Sequence, residues 1–259
     1  MIFLKKYWKT LFFFAVVGLV GGFCTGLYLL DSYPDSIRQA LVEELNGAGL
    51  EQIPLHIVMG IVTALQGATY GVICGALGIP LAKKVGLWRD ERSIAKEPLT
   101  VAVFVGIIGG LLMILLDILY FNKHSQAVMD SYAVKPNLLY IFGCLTYGGV
   151  IEEVMLRLFF MSLVAFILHK LFGKGAPEAS AATLTVANLL SALLFAAGHL
   201  PATFMLLGNT PTLIVRCFLL NGGLGIVFGW LYQKYGLRYA MIAHGGCHIV
   251  SKLIWVFFL

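Results

Sequence analysis

Charged residues are scarce in this chain. Only 12% of the 259 residues are Asp, Glu, Lys or Arg, whereas 59% are hydrophobic and the mean hydropathy is +0.89. Such a composition leaves too little polar surface to cover a soluble globule of this length, so a water-soluble protein is excluded. The net charge of +5 does not indicate a nucleic-acid partner, because the basic residues lie in short loops and form no single patch. The sequence predicts an integral membrane protein.

Paired cysteines are missing as well. The five cysteines all lie within apolar runs, their number is odd, and no Cys-x-x-Cys is present. These features are typical of small buried residues and not of a disulfide framework or a zinc-binding cage. We also find no internal repeat, low-complexity tract or second domain, so residues 1–259 are expected to form a single transmembrane domain. The cysteines are Cys24, Cys74, Cys144, Cys217 and Cys247.

Seven apolar runs are long enough to cross a bilayer. They predict an all-α, polytopic membrane helix bundle with about seven transmembrane helices. The first run is longer than the apolar part of a signal peptide and no clear cleavage site follows it, so we expect a retained anchor. The fourth run would extend about 50 Å as one helix, well beyond the apolar core of a bilayer, and Gly148–Gly149 is its expected bend. The runs are 11–30, 54–82, 99–121, 138–172, about 184–207, 211–232 and 238–258.

Loop charges predict the orientation of the bundle. Basic residues gather before the first span and after the second, fourth and sixth spans, whereas the opposite loops contain few. By the positive-inside rule the N-terminus is cytoplasmic and the C-terminus is outside. The acidic segment 31–53 is then external and is expected to form a short surface helix, and the loop 83–98, which contains Trp88, is cytoplasmic and interfacial. The basic residues on the inner side are Lys5, Lys6, Lys9, Lys83, Lys84, Arg89, Arg92, Lys96, Lys170, Lys174, Lys234 and Arg238.

Three ionisable residues interrupt the fourth apolar run. Glu152, Glu153 and Arg157 lie within six residues, and ionisable side chains inside a membrane span indicate a functional site by default. In an α-helix Glu153 and Arg157 share one face, so we expect them to form an ion pair. Glu152 then points about 100° away and is the freer carboxylate, suited to act as a general base. The alternative is that all three residues form a structural ion-pair cluster between helices.

Histidines follow in two later runs. His199 ends the stretch 188–199, and Phe195 lies one turn before it on the same helix face. A lone histidine at such a place is often an interhelical hydrogen bonder. His244 and His248 are four residues apart on one face, and the two glycines between them, at 245 and 246, let a neighbouring backbone or a substrate come close. Three more charged residues near span ends, Asp117, Arg216 and Lys252, are interpreted as interfacial or pairing residues.

Three motifs in this order resemble the CPBP family of membrane proteins. They are Glu-Glu-x-x-x-Arg at 152–157, Phe-x-x-x-His at 195–199 and His-x-x-x-His at 244–248. That family includes type II CAAX prenyl endopeptidases and bacteriocin-processing or immunity-associated proteins. The resemblance covers residues 138–258, which are expected to form the catalytic core.

The resemblance implies an intramembrane endopeptidase of the glutamate type. By similarity, Glu152 would activate a water and His199 would help to hold and polarise it, while Glu153 and Arg157 support the site. His244 and the residue four later would donate hydrogen bonds to the developing oxyanion. Many members have Asn at the last position, whereas this chain has His248, which can donate only in the right tautomer.

The histidine at 248 also leaves a metal open. Glu152, His199, His244 and His248 together would make a possible zinc ligand set if they converge. No His-Glu-x-x-His motif is present, so the usual helical zinc signal is missing and no cofactor is expected on balance.

Other functions and the substrate stay open at this level. One alternative is a non-enzymatic immunity or scaffold protein that binds a toxin peptide or a sensor kinase, and another is a transporter that uses Glu152 in a proton relay. The expected partners are the lipid bilayer and a peptide or lipidated protein tail. Since the C-terminal sequence contains no endoplasmic-reticulum retrieval signal, a bacterial plasma membrane is the expected location. The sequence does not indicate an oligomeric state.

Overall fold

The computed structural model describes residues 2–89 and 94–259 of the protein. In these two ranges every regular element is helical and no strand is present, which confirms the predicted all-α bundle. The α-helices are α1 Ile2–Ser32, α2 Asp35–Gly47, α3 Leu55–Lys84, α4 Lys96–Leu119, α5 Gln126–Asp130, α6 Leu138–Gly143, α7 Ser162–Phe172, α8 Ala181–Gly198, α9 Leu200–Leu206, α10 Pro211–Cys217, α11 Gly223–Tyr235 and α12 Leu237–Phe258. A 3₁₀ turn at Phe121–Lys123 and π-helices at Cys144–Glu152, Val154–Met161 and Phe218–Gly222 complete the set.

Six helical segments are long and apolar enough to cross a membrane, counted over the described ranges. They coincide with six of the seven predicted spans, and the protein is an integral membrane protein. The predicted span 138–172 is not one of the six. The six segments are Lys5–Ser32, Leu55–Lys84, Lys96–Lys123, Ala181–Leu206, Pro211–Tyr235 and Leu237–Phe258.

The segment 138–172, here called the central helix, is helical throughout but changes its winding. It consists of α6, the first π-helix Cys144–Glu152, the second π-helix Val154–Met161, and α7. Gly148 and Gly149, the expected bend, lie in the first π-helix. A π-helix bonds each N–H to the carbonyl five residues earlier, and such winding is frequent at functional sites. The expected irregularity is therefore a change of helical pitch along an unbroken helix.

The central helix is enclosed by its neighbours. It packs against α1, α3, α8, α11 and α12, and the core of the protein lies around it. A polar side chain on the buried face of this helix must therefore find its partners inside the protein. Its fully buried residues are Ile151, Glu153, Val154, Arg157, Leu158, Met161, Ser162 and Ala165.

Two glycines allow α12 to approach α4 closely. A Cβ atom added to Gly246 would lie 3.2 Å from the Cα of Gly106, and one added to Gly106 would lie 3.0 Å from the Cα of Gly246. This contact confirms the expectation that a neighbouring backbone reaches α12 at its glycine pair. It holds α12, and with it both histidines of the last motif, against the bundle.

Charged residues near span ends form one network. Asp117 on α4 accepts hydrogen bonds from the Arg216 guanidinium at 2.5 and 2.6 Å and from the Tyr132 hydroxyl at 2.7 Å. The interpretation of Asp117 and Arg216 as pairing residues is confirmed. Lys252 is half-buried, with its Nζ 4.7 Å from the ring centre of Trp255, so its charge lies against aromatic rings.

The two predicted surface segments differ in how far they can be checked. The helix α2 has no buried residue, which confirms the surface helix expected within 31–53. In the predicted inner loop 83–98, the Trp88 ring meets the Tyr7 ring edge to face at 5.8 Å. Residues 90–93 of that loop lie outside the described ranges.

Candidate active site

The predicted ion pair on the central helix is present and fully buried. Arg157 Nη1 lies 3.2 Å from Glu153 Oε1, and both side chains are 0% exposed. Arg157 also donates through Nη2 to the carbonyl oxygen of Gly225 at 2.9 Å. The rings of Phe195 and Phe228 lie 4.8 and 5.7 Å from the guanidinium carbon. Arg157 therefore has four contacts, namely one ion pair, one hydrogen bond and two aromatic rings, and it holds the carboxylate of Glu153 in place.

Glu152 lies in a different environment from Glu153. Its side chain is 22% exposed and lines a cavity of about 480 Å³ between α3, the central helix and α8. A cavity of this size is typical of ligand pockets, and a mostly apolar lining with few polar groups is typical as well. The lining residues are Tyr70, Cys74, Tyr147, Glu152, Met155, Leu156, Phe159, Phe160, Leu194, Phe195, Gly198 and His199.

The winding of the first π-helix places Tyr147 in this cavity. Tyr147 and Glu152 are five residues apart, a spacing that would put them on different faces of an α-helix. Because π-helical turns contain more residues, side chains five apart come onto one face. The sequence, interpreted with α-helical angles, did not predict that Tyr147 lies in the same cavity as Glu152. The glycine pair at 148 and 149 was the one local signal of altered geometry.

His199 reaches the same cavity from α8. The helix ends at Gly198, and His199 Nδ1 donates to the carbonyl oxygen of Phe195 at 2.8 Å. In a neutral ring this bond leaves Nε2 with its lone pair, able to accept a hydrogen bond from water or substrate. Ser191 on α8 donates to the carbonyl oxygen of Leu156 at 2.8 Å and so ties α8 to the central helix. That bond sets the position of His199 relative to Glu152.

His244 on α12 lies between the two glutamates. Its Nδ1 is 2.9 Å from Glu153 Oε1, and its Nε2 is 3.9 Å from Glu152 Oε2. Since Glu153 accepts, Nδ1 is the donor, and Nε2 of a neutral ring would turn a lone pair toward a second carboxylate. A proton on Nε2 as well would make His244 a donor toward Glu152.

His248 lies behind His244 as seen from Glu152. The two imidazole rings stack at 4.9 Å with 26° between their planes. His248 Nδ1 is buried and has no hydrogen-bond partner among the described residues. On the other side, a Cβ atom added to Gly148 would lie 2.6 Å from His248 Nε2. The cavity lining includes Glu152 and His199 but neither His244 nor His248.

The possible zinc ligands do not form a metal-binding group. Across the described residues, no three His, Cys, Asp or Glu side chains are arranged to hold a metal ion. His199 and His244 each use Nδ1 in a hydrogen bond, to Phe195 and Glu153, which leaves only Nε2 of each ring for a metal. The set Glu152, His199, His244 and His248 is not gathered around one point in the described residues.

Two further positions support the site and were not predicted. The Phe228 ring on α11 stacks on His244 at 4.7 Å with 19° between the planes. Gly225 accepts from Arg157, and a Cβ atom added there would lie 3.2 Å from Arg157 Nη2. Neither residue is polar or in a motif, so only the packing of α11 identifies them. Asn188 on α8 donates to the Ile226 carbonyl oxygen on α11 at 2.9 Å.

Comparison with known families adds one finding. Residues 134–250 match the family model described as type II CAAX prenyl endopeptidase Rce1-like, and this range contains all three motifs. No curated protein and no solved structure matches the chain. The matched range overlaps the predicted core 138–258 and agrees with the resemblance that its motifs indicated. Residues 134–250 of this membrane protein are thus similar to the Rce1-like type II CAAX prenyl endopeptidases, a family of proteases.

Proposed function

We propose that this protein is an intramembrane endopeptidase that cleaves a membrane-associated peptide or a lipidated protein tail with a water activated by Glu152. The observation that supports this most is the joint position of Glu152 and His199 on one apolar cavity between membrane helices. A carboxylate within reach of a bound water can act as its general base, and a histidine on the same cavity can orient that water.

The proposed reaction is hydrolysis of one peptide bond. Glu152 removes a proton from a water that His199 Nε2 orients, and the water oxygen attacks the carbonyl carbon of the substrate. The carbonyl oxygen becomes an oxyanion, which protonated His244 stabilises through Nε2–H. When the carbon–nitrogen bond breaks, the proton from Glu152 moves to the leaving nitrogen. The products are one carboxylic acid and one amine, and Glu152 is again a carboxylate.

Glu153 and Arg157 are proposed to position His244. The carboxylate of Glu153 accepts from His244 Nδ1, so it orients the ring and stabilises its protonated form, as a buried carboxylate does in a catalytic triad. Arg157, whose Nη1 lies 3.2 Å from Glu153 Oε1, holds that carboxylate in place. His248, stacked on His244, is proposed to support this ring and to be a second donor when its Nε2 is protonated.

The substrate is expected to approach through the membrane. The Glu152 cavity is lined by helices α3 and α8, both membrane-spanning, and most of its lining is apolar. An apolar or lipid-modified segment would gain free energy in such a cavity, whereas a polar soluble peptide would not. We propose a bacterial plasma membrane as the location.

The test is the membrane peptidome of cells that produce wild type, Glu152→Gln or Glu43→Gln at equal levels. Glu43 lies exposed on α2, so its variant is the matched control for loss of one carboxylate. We expect cleavage products that are present with wild type and Glu43→Gln and absent with Glu152→Gln. A substrate found this way is then fused to a soluble carrier without its apolar or lipidated segment, which should stop cleavage.

Two results would contradict the proposal. Normal turnover by folded Glu152→Gln would remove Glu152 as the base. Identical peptidomes for wild type and Glu152→Gln, together with binding of a toxin peptide or a sensor kinase by both, would favour the non-enzymatic immunity or scaffold function.

A further inference from the structure

A second cavity lies at the membrane end where α1 begins, α3 ends and α11 turns into α12. Its volume is about 620 Å³, and it shares no lining residue with the Glu152 cavity. By the predicted orientation this is the cytoplasmic end. The lining residues are Lys6, Tyr7, Lys9, Thr10, Phe13, Phe14, Leu87, Trp88, Arg89, Tyr232, Tyr235, Gly236, Leu237, Arg238 and Met241.

The charge of this lining has one sign. It contains the basic residues Lys6, Lys9, Arg89 and Arg238, and no acidic side chain of the described ranges is part of it. Lys6 and Arg238 also interact with other groups. The positive electrostatic potential of the cavity therefore comes from its basic residues together and not from one free side chain. Two Arg89 contacts, to the carbonyl oxygens of Gln233 and Lys234 at 3.3 and 3.1 Å, fix its guanidinium beside the turn before α12. Such a lining favours a ligand with negative charge.

The lining is basic at its rim and apolar below. Lys6, Lys9 and Arg89 are exposed, whereas Phe14 and Leu87 are only 4% and 2% exposed. Basic and aromatic groups above an apolar floor match the order of a phospholipid, in which the phosphate lies above the glycerol and the acyl chains. A free phosphate ion would use the rim and leave the floor without a partner.

The lining includes an exposed apolar side chain on a membrane-spanning helix. Phe13 belongs to the lining, is 52% exposed, and lies on α1. An acyl chain that left the cavity beside Phe13 would follow an apolar helix surface. The first turn of α12 borders the rim through Leu237 and Arg238, and no side chain caps it, so its backbone N–H groups add to the positive potential. The four basic residues and the apolar floor favour an anionic lipid even without this contribution from the helix.

We propose that this cavity binds the phosphate-bearing headgroup of an anionic phospholipid. The phosphate lies among the basic residues at the rim, and the glycerol and upper acyl chain lie against the aromatic floor. This binding is independent of the chemistry at Glu152. It ties α1 to the α11–α12 turn, the two elements that face each other across the cavity.

The test is native mass spectrometry of delipidated protein in detergent, titrated with dioleoyl phosphatidylglycerol. The double variant Lys9→Gln, Arg238→Gln removes two charges from the cavity. The matched control Lys170→Gln, Lys174→Gln removes two exposed charges from the end of α7 and the loop after it, outside the cavity. Dioleoyl phosphatidylcholine and inorganic phosphate are titrated in parallel.

We expect the cavity variant to bind phosphatidylglycerol about thirtyfold more weakly than wild type, which is about 2 kcal/mol and the effect of two juxtamembrane charges. The control variant should stay within about threefold of wild type, and phosphatidylcholine should bind wild type about as weakly as phosphatidylglycerol binds the cavity variant. If the double variant does not fold, Lys9→Gln alone, at an exposed position, should weaken binding by about fivefold.

Three results would overturn the proposal. Equal affinity for the two lipids would show that the headgroup charge is not recognised. An equal loss in both double variants would show a general surface attraction and no site. Displacement of phosphatidylglycerol by inorganic phosphate at the same concentration would show that the cavity binds a soluble anion instead of a lipid.

Discussion

Replacing Glu153 by Gln should destabilise the protein far more than replacing its neighbour Glu152. Glu153 and Arg157 are both 0% exposed and 3.2 Å apart, so the Gln variant leaves the guanidinium buried without its counter-charge. Breaking a buried pair by removing one partner costs about 3–5 kcal/mol of unfolding free energy. Glu152 is 22% exposed and forms no ion pair with an arginine of the described residues, so its Gln variant should cost less than about 1 kcal/mol.

The assay is unfolding of the purified variants in mixed detergent micelles, followed by far-UV circular dichroism during titration with dodecyl sulfate. A third variant, Glu153→Gln with Arg157→Met, removes both charges and keeps side chains of similar length. It should be more stable, by about 0.5–3 kcal/mol, than the summed effects of Glu153→Gln alone and Arg157→Met alone predict, since the two residues are in contact. Removing the pair together avoids the cost of an isolated buried charge.

Equal unfolding free energies for Glu153→Gln and Glu152→Gln, within about 0.5 kcal/mol, would refute the reasoning. That result would mean that Arg157 finds another counter-charge or water, and that the central helix is less enclosed than the packing indicates. Strict additivity of the double variant would contradict a direct contact between the two side chains.

Three further predictions concern His248, Gly148 and the orientation. His248→Asn should retain substantial peptidase activity if the side chain donates a hydrogen bond, and loss of both activity and about one equivalent of zinc would instead identify it as a metal ligand. Gly148→Ala should reduce peptidase activity and lower the unfolding free energy by about 1–3 kcal/mol, because the new Cβ would lie 2.6 Å from His248 Nε2 and displace its ring. Unchanged thermal unfolding and turnover would contradict that contact. In a background without native cysteines, an impermeant thiol reagent added outside should label Glu44→Cys and not Lys174→Cys, both at exposed positions, and the opposite pattern would reverse the orientation.

Local chemistry was readable from the sequence because each signal involves residues close in the chain. Low charge and long apolar runs dictate membrane-spanning helices, since an unpaired backbone group in lipid is too costly. The spacing of Glu153 and Arg157 predicted their pair, which forms even though the surrounding helix is π-wound. The three motifs sufficed to indicate the family whose model residues 134–250 match.

Tertiary structure decided how those local features meet. The π-helical winding that brings Tyr147 beside Glu152 depends on how the central helix packs, and one sequence does not show it. Helix spacing places His244 and His248 on one face but cannot tell which of them meets Glu153, because that contact joins residues 91 apart in the chain. Phe228 and Gly225 gain their roles only where α11 packs on the central helix, since neither has a polar side chain that a pattern would reveal. The basic cavity likewise assembles from three separate segments, and their distance in sequence hides it.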